Sequence, residues 1–536
     1  MGSAPGPRDS DPAVTAGPWA PFEHATFRGL WIAALASYIA FWMQTVAGAW
    51  LMVSMKASPL LVALMQTAAS LPMFLFSLPS GVLADLVNRR RLILGSQAAV
   101  IIAMTLLAVT TFTGTIGPLG LLGLTFVLGT GLAISGPAWQ SSMAESVPRP
   151  LMPQALTLVG IAYNVARAVG PALAGALQAV SGPATVFVAN AVAYVAAFLV
   201  VRRWSYPEPA SHLPPERLLG GMRTGLQYAL HAQGVRAPLA RAASFMVPAS
   251  AIWALLPVLG QSRLGVSAAG YGLLIGSLGT GAIMAGLAMP WFRAHVSIER
   301  TVVVTTILYA LVAMLAGIVP SLWLLCPLLM LGGIAWSLAL TLLNAALLTS
   351  VPSWVRSRTI ALNLLVTQGA MAAGGALWGL AATELDASRA LIVSGLAMLL
   401  PFAWSRRFPV RLGDDRDVTL TPVELRADLS EAAPPEAGPV AVEIRYQVAA
   451  ADQPEFLAAA EAVGVIRRRN GARFWRLYRD LADDSRFLER FIVVSWIDYQ
   501  RQLTRSTLAD RASEDRLRAL HTDNRAIETA HYLAER

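Results

Sequence analysis

Twelve apolar runs, each close to the length that crosses a lipid bilayer, constrain this chain more than any other feature. A hydrocarbon core of about 30 Å takes about 20 apolar residues per helix. The runs cover 28–52, 60–84, 92–112, 118–143, 155–180, 184–203, 238–262, 269–292, 301–319, 322–348, 359–383 and 387–404. No water inside the bilayer satisfies backbone groups, so helices are the expected solution. The composition agrees: 55% of residues are hydrophobic and only 14% are charged, against about 25% charged in a soluble domain. The net charge of +9 raises nucleic-acid binding as an option. Arginines in the loops account for much of the excess, so no nucleic-acid partner is expected.

The polar segment 204–237, with Pro207, Pro209, Pro214 and Pro215, divides the runs into six plus six. The expected organisation is therefore a disordered tail over 1–27, a six-helix half over 28–203, a cytoplasmic linker over 204–237 and a second half over 238–404. A linker over 405–440 and a soluble domain over 441–536 follow. Charge sets the orientation. With the N-terminus inside, the inner loops and flanks hold Arg28, Arg89, Arg90, Arg91, Arg149, Arg202, Arg203, Arg217, Arg223, Arg236, Arg241, Arg293, Arg300, Arg356, Arg358, Arg406 and Arg407. The outer loops hold only Lys56, Arg263 and Arg389. By the positive-inside rule both termini are expected in the cytoplasm, in a multi-pass protein of the cell (inner) membrane.

The halves carry an internal repeat. Ser146-Val147-Pro148 recurs as Ser350-Val351-Pro352, and Gly170-Pro171-Ala172-Leu173-Ala174-Gly175 aligns with Gly374-Gly375-Ala376-Leu377-Trp378-Gly379. Both matches share one offset. Parallel repeats of this kind build transporters, with the substrate site between the halves near midplane. The repeat also predicts a second inner loop at 286–293, with Pro290 where the first has an acid.

The tail differs in kind. Val442 to Tyr446 alternates as a strand, Pro454 to Arg467 reads as a helix, and Arg473 to Tyr478 alternates again. Phe491 to Trp496 reads as a third strand, Leu508 to Leu520 as a helix and Ile527 to Leu533 as a last strand. This order predicts a small ferredoxin-like α+β domain. The fold class expected overall is an all-α membrane protein of twelve transmembrane helices in two halves, with that domain appended.

Three groups of residues point to chemistry. Gly81 to Arg91 is a charged turn between two apolar runs, with Asp85 closing one and Arg89, Arg90 and Arg91 opening the next. Glu145 and Arg149 flank the inner end of the fourth run. Arg167 lies twelve residues into the fifth run, at a depth of roughly 18 Å. A cation there is costly and functional by default. No acidic residue occupies the centre of any run, so an anionic substrate is one candidate partner for Arg167, and nearby polar groups are another. Asn164 lies one turn away on the same face. Gln44, Gln140, Asn344 and Gln368 are further candidates for lining a substrate or coupling-ion path. Gly170, Pro171 and Gly175 suit close helix packing. Glu384 and Asp386 form the only outer acidic pair, a weak candidate for proton capture.

One cysteine and six scattered histidines offer neither a disulfide within the chain nor a metal site. No Gly-x-x-x-x-Gly-Lys-[Ser/Thr] loop is present, so neither ATP hydrolysis nor a cofactor is expected.

Taken over 28–404, the chain resembles the major facilitator superfamily. Gly81, Asp85, Arg89 and Arg90 match that superfamily's signature loop, with Leu86 and Asn88 departing from it. The resemblance implies that Asp85 and these arginines join inner-face ion pairs that break during alternating access, with Glu145 and Arg149 in the same network. Pro137-Ala138-Trp139-Gln140 and Ala166 to Leu173 resemble the enterobactin-exporter, or transmembrane secretion effector, branch. That branch implies export of a small, often amphipathic or anionic metabolite such as a siderophore or drug, with proton antiport as the usual drive. The tail resembles domains of the antibiotic-biosynthesis-monooxygenase type. Arg473, Tyr478, Trp496 and His521 form no recognisable catalytic set, so a regulatory or dimerising module is expected and no enzyme. The alternatives are an importer, or a membrane-anchored enzyme acting through the tail.

Overall fold

The computed structural model describes residues 17–204, 227–228, 230–400, 409–421, 434, 436–522 and 527–535. The start of the expected N-terminal tail, most of the first linker, part of the second and the end of the twelfth run lie outside them. Twelve apolar helices follow in chain order. They are α1 (Ala25–Ser54), α2 (Pro59–Leu86), α3 (Arg89–Phe112), α4 (Pro118–Glu145), α5 (Met152–Ser181), α6 (Pro183–Arg203), α7 (Gln233–Ser262), α8 (Ala268–His295), α9 (Ile298–Ala316), α10 (Leu322–Thr349), α11 (Ser353–Leu385) and α12 (Ala387–Leu399). Among the described residues, eleven are long and apolar enough to cross a membrane, while α12 is a shorter apolar helix. Local chemistry fixes their starts. The Ser58 side chain caps α2 and Pro59 follows at its first position, where a missing N–H costs nothing.

Two expected boundaries move. Helix α7 begins at Gln233 within the segment read as linker, because Val235 and Ala237 are buried and extend its apolar face. The second inner loop does not lie at 286–293. That stretch is helical to the end of α8, and the turn falls at Val296–Ser297, beyond the point that the repeat offset indicates.

The chain forms two compact units. The first gathers described residues among 1–212, 242–340 and 364–403. Within it, α5 packs on α1 and α8, α2 on α4, and α9 on α12. The repeat is visible in this packing. A Cβ on Gly170 would lie 2.7 Å from Trp42 Cβ on α1, and one on Gly374 would lie 2.5 Å from Val247 O on α7. A Cβ on Gly175 would lie 2.8 Å from Ala268 O on α8, and one on Gly379 would lie 2.5 Å from Ala63 Cβ on α2. Positions paired by the repeat thus make paired contacts, α5 with α1 and α8, α11 with α7 and α2. Gly175→Val is expected to force α5 and α8 apart at about 1–3 kcal/mol. A lower thermal midpoint and a lower yield of folded protein in detergent would report it.

The second unit gathers described residues among 213–241, 341–363 and 404–536. Its sheet has strands β1 (Val440–Gln447), β2 (Phe474–Arg479), β3 (Arg486–Val493) and β4 (Thr529–Leu533). The order is β2-β3-β1-β4, with every pairing antiparallel. Helix α13 (Gln453–Arg469) connects β1 to β2, while α14 (Trp496–Thr504) and α15 (Leu508–Ala519) connect β3 to β4. This is the β-α-β-β-α-β order of a split βαβ arrangement. Val440, Val442, Ile444 and Tyr446 alternate onto the helix-covered face, where Phe456, Val463 and Phe491 complete the core. The third strand differs from the expected 491–496. Ser495 caps α14 by accepting from Asp498 N, and its hydroxyl donates to Asp498 Oδ2 at 2.9 Å. Trp496 therefore opens a helix.

A buried charge cluster ties this core together. Arg467 pairs with Glu489 at 3.2 Å and with Glu514 at 2.7 Å. Tyr446 Oη and Trp475 Nε1 donate to Glu489 at 3.0 and 3.1 Å. Burial alone would lower the pKa of Arg467, but Glu514 and Glu489 outweigh it and hold the guanidinium above its ordinary range. On β4, His531 Nε2 meets Tyr499 Oη at 2.8 Å, and burial holds its pKa below 6.5. The unfolded chain then binds more protons in the window just below 6.5, so this contribution is complete above that pH and is lost as pH falls. The midpoint for tail unfolding is expected to drop on acidification through about pH 6, and His531→Phe should flatten that slope in thermal melts.

Candidate functional site

Arg167 sits at the middle of α5, a helix of 30 residues. Its guanidinium carbon lies 5.9 Å from the centre of the Trp253 ring on α7. Aromatic rings continue outward from that contact. Trp253 meets Trp42 of α1 at 6.0 Å and Trp336 of α10 at 5.7 Å. Trp336 meets Tyr309 of α9 at 5.7 Å, and Trp42 meets Tyr163 of α5 at 6.1 Å. Tyr163 and Tyr309 place their hydroxyls within electrostatic reach of Arg167. Neither is a carboxylate. Arg167 Nε and Nη2 are buried and have no hydrogen-bond partner among the described residues. A guanidinium offers five donors in a planar fork that matches a carboxylate or phosphate. Aromatic faces attract the cation but cannot accept its in-plane N–H groups. The arrangement can therefore receive an anion carried on an apolar or aromatic body.

The other expected lining residues divide. Gln44 is 3% exposed and lines a cavity of about 30 Å³ that also reaches Trp253. Asn164 does not reach Arg167, because its side chain donates to Gly160 O at 2.9 Å. The residue one turn before Arg167 on the ring side is Tyr163. Gln140 is exposed and Gln368 half-buried, and Asn344 Oδ1 accepts from Asn363 Nδ2 at 3.4 Å in the second unit. Gly170, Pro171 and Gly175 lie on the α5 faces against α1 and α8, as described above. Asp386 caps α12 by accepting from Arg389 N at 2.9 Å.

At the junction of α2 and α3, Arg89 Nη1 pairs with Glu145 Oε1 at the end of α4, 2.5 Å away. Arg90 donates to Val201 O at 3.3 Å and to Arg202 O, fastening α3 to the end of α6. Asn88, which stands where the resembled loop has glycine, caps α3 by accepting from Arg91 N at 3.3 Å. Gly81 and Asp85 fall in the last two turns of α2, and Arg149 opens a short 3-10 turn. The side chains of Asp85 and Arg149 lie outside the described residues.

In the second unit, Arg505 lies 4.2 Å over Trp354 at the start of α11, and Arg469 lies 5.3 Å over Tyr228. Tyr228 and Trp354 meet edge to face at 5.5 Å. Arg469 is held by Asp510. The segment before the sheet runs from Gly413, whose N donates to Thr349 Oγ1 at 3.3 Å, to Thr421, whose N donates to Ser506 O at 2.8 Å. The tail is thus seated on the ends of α10 and α11, a contact that the sequence did not signal. Of the four tail residues weighed for catalysis, His521 Nδ1 accepts from Gln447 N and Trp496 is buried. Among the described residues, no group of three or more His, Cys, Asp or Glu could hold a metal ion.

Long apolar helices carrying an internal repeat, with the Arg167 guanidinium placed at mid-helix, have the architecture of a membrane transporter. Solved structures agree at the level of fold. A bacterial homologue of the human lysosomal transporter Spinster, inward-facing and unoccupied, aligns at TM-score 0.58 and 13% identity over 72% of this chain and 98% of that one. A POT family transporter in complex with a thioalcohol-conjugated peptide aligns at 0.59 and 12%, over 72% and 96%. The chain belongs to the transmembrane secretion effector family, whose model matches residues 16–536, the tail included. The Staphyloferrin A transporter of Staphylococcus aureus is 20% identical over 368 residues, 68% of this chain and 91% of that protein. The tail's likeness to monooxygenase-type domains finds no counterpart in these matches.

Proposed function

We propose that this transporter exports a small anionic or amphipathic metabolite, of siderophore or drug type, from the cytoplasm by alternating access. The observation that carries this is Arg167, a membrane-buried guanidinium with unpaired donors and an aromatic surround. A permanent cost of this kind persists where a ligand relieves it. The family, and the siderophore named for the Staphylococcus aureus relative, support the substrate class. The positive-inside count supports cytoplasmic termini. Arg89–Glu145, together with Asp85 and Arg149, is assigned to the inner gate.

Proton coupling is the family's usual drive. No Asp, Glu or His occupies the centre of any run, so a coupling proton would have to use carboxylates at helix ends, such as Glu145 or Glu384, or travel on the substrate. The tail is assigned a regulatory or dimerising role. Its helix-free sheet face carries exposed Tyr478 and Tyr532 beside half-buried Leu488 and Ile492.

Metabolite profiling of cells lacking the protein tests the export reading. One compound is expected to accumulate inside the cells and to disappear from the medium. No retained compound, under conditions where the protein is expressed, would refute export.

A further inference from the structure

A cavity of about 30 Å³ between α1, α2, α3, α4, α6, α7 and α8 has room for a small polar group or about two water molecules. Its walls are mostly apolar, with Met65, Met104, Leu128 and Trp253 among them. Its polar groups fall into two kinds. Thr45 donates to Phe41 O at 3.0 Å, and Gln66 donates to Ser70 Oγ at 2.8 Å. Gln44 is different: both its amide nitrogen and its amide oxygen are buried without a partner among the described residues. Thr125 Oγ1 of α4, which lines the same cavity, is also unpartnered among the described residues. Gly48, one turn beyond Gln44, keeps the space open, since a Cβ there would lie 2.9 Å from Met65 Cε and 3.3 Å from Gln44 Nε2. A buried amide unpaired at both ends costs about 1–3 kcal/mol per group. It is complementary to one kind of partner, a neutral group that donates and accepts together. Trp253 touches both this cavity and Arg167.

We propose that Gln44, with Thr125, forms a specificity subsite for an amide-type group on the substrate, set on the far side of Trp253 from the anion held by Arg167. The substrate class is then an N-acyl amino-acid-like molecule, with a carboxylate, an amide and an aromatic or alkyl body. This rests on the reading of Arg167 as an anion site, and the two parts fail separately.

Three probes of matched length separate them: naphthoylglycine, naphthylbutanoate, which replaces the amide by methylenes, and naphthoylglycinamide, which removes the charge. Binding is measured by calorimetry on the full chain in detergent. Loss of the amide is expected to weaken binding about fivefold to tenfold in the wild type. In Gln44→Leu that ratio should fall to about one while the preference for the carboxylate remains. In Arg167→Gln the preference for the carboxylate should vanish while the amide ratio remains. Gln44→Leu removes unpaired buried atoms, so its thermal midpoint should not fall, and Thr125→Val gives a second, partial loss of the ratio.

An amide ratio unchanged in Gln44→Leu, or equal wild-type binding of naphthoylglycine and naphthylbutanoate, would overturn the subsite and leave water as the occupant of the cavity. Absence of naphthoylglycine binding would overturn the substrate class. A carboxylate preference that survives in Arg167→Gln would refute the anion site instead.

Discussion

Arg167→Gln is expected to cut transport of the native substrate by about thirtyfold or more while leaving membrane insertion intact. Loss of one partner from a buried charge pair costs about 2–5 kcal/mol, and about 1.4 kcal/mol is a factor of ten. Stability should move the other way. The guanidinium stands among rings with Nε and Nη2 unpaired among the described residues, and a cation at membrane depth costs about 2.5–3.5 kcal/mol. Its removal should therefore raise the thermal midpoint of the empty transporter. A helix clamp would behave oppositely, losing stability with the arginine. Arg167→Lys should give intermediate transport, since it keeps the charge and loses the planar fork. Membrane extraction, melting curves and transport in one series distinguish these outcomes.

Arg467→Met is expected to unfold the α+β tail and leave the helical bundle inserted. The change strands Glu489, whose side chain is 1% exposed, and Glu514, at 12%, as uncompensated charges in a core. Breaking a buried pair costs about 3–5 kcal/mol, a large share of the roughly 5–15 kcal/mol that holds a domain together. Tyr446 and Trp475 lose their place as well, because both donate to Glu489. Limited proteolysis should release fragments from 440–533 in the variant and spare α1–α12. Replacing Glu489 by Gln and Glu514 by Leu in the same chain should restore resistance, because the cost lies in unpaired charge rather than in lost attraction.

Much of the bundle was legible because membrane helices announce themselves by length, and because Arg167 is a single charge in an apolar run. The repeat was legible where small residues must recur, at Gly170 with Gly374 and Gly175 with Gly379. The surround of Arg167 was not. Trp42, Tyr309 and Trp336 sit in helices that are apolar on nearly every face, so little polar contrast marks which side meets a neighbour. Asn164 drew attention for its polarity, yet its own helix satisfies it at Gly160, and the ring of Tyr163 takes the place expected for it. In the tail, strand alternation placed β1 and β2. It overran β3, because the Ser495–Asp498 cap stops the sheet with two ordinary polar residues. The seating of Arg505 on Trp354 joins residues far apart in sequence and leaves no local signal.

The most direct measurement is uptake of the retained metabolite into inside-out membrane vesicles carrying either the wild-type chain or Arg167→Gln at equal abundance. The wild type should accumulate it, and the variant should stay at the background of empty vesicles. Equal accumulation by the variant, or accumulation by right-side-out vesicles alone, would contradict an exporter that holds its cargo at Arg167.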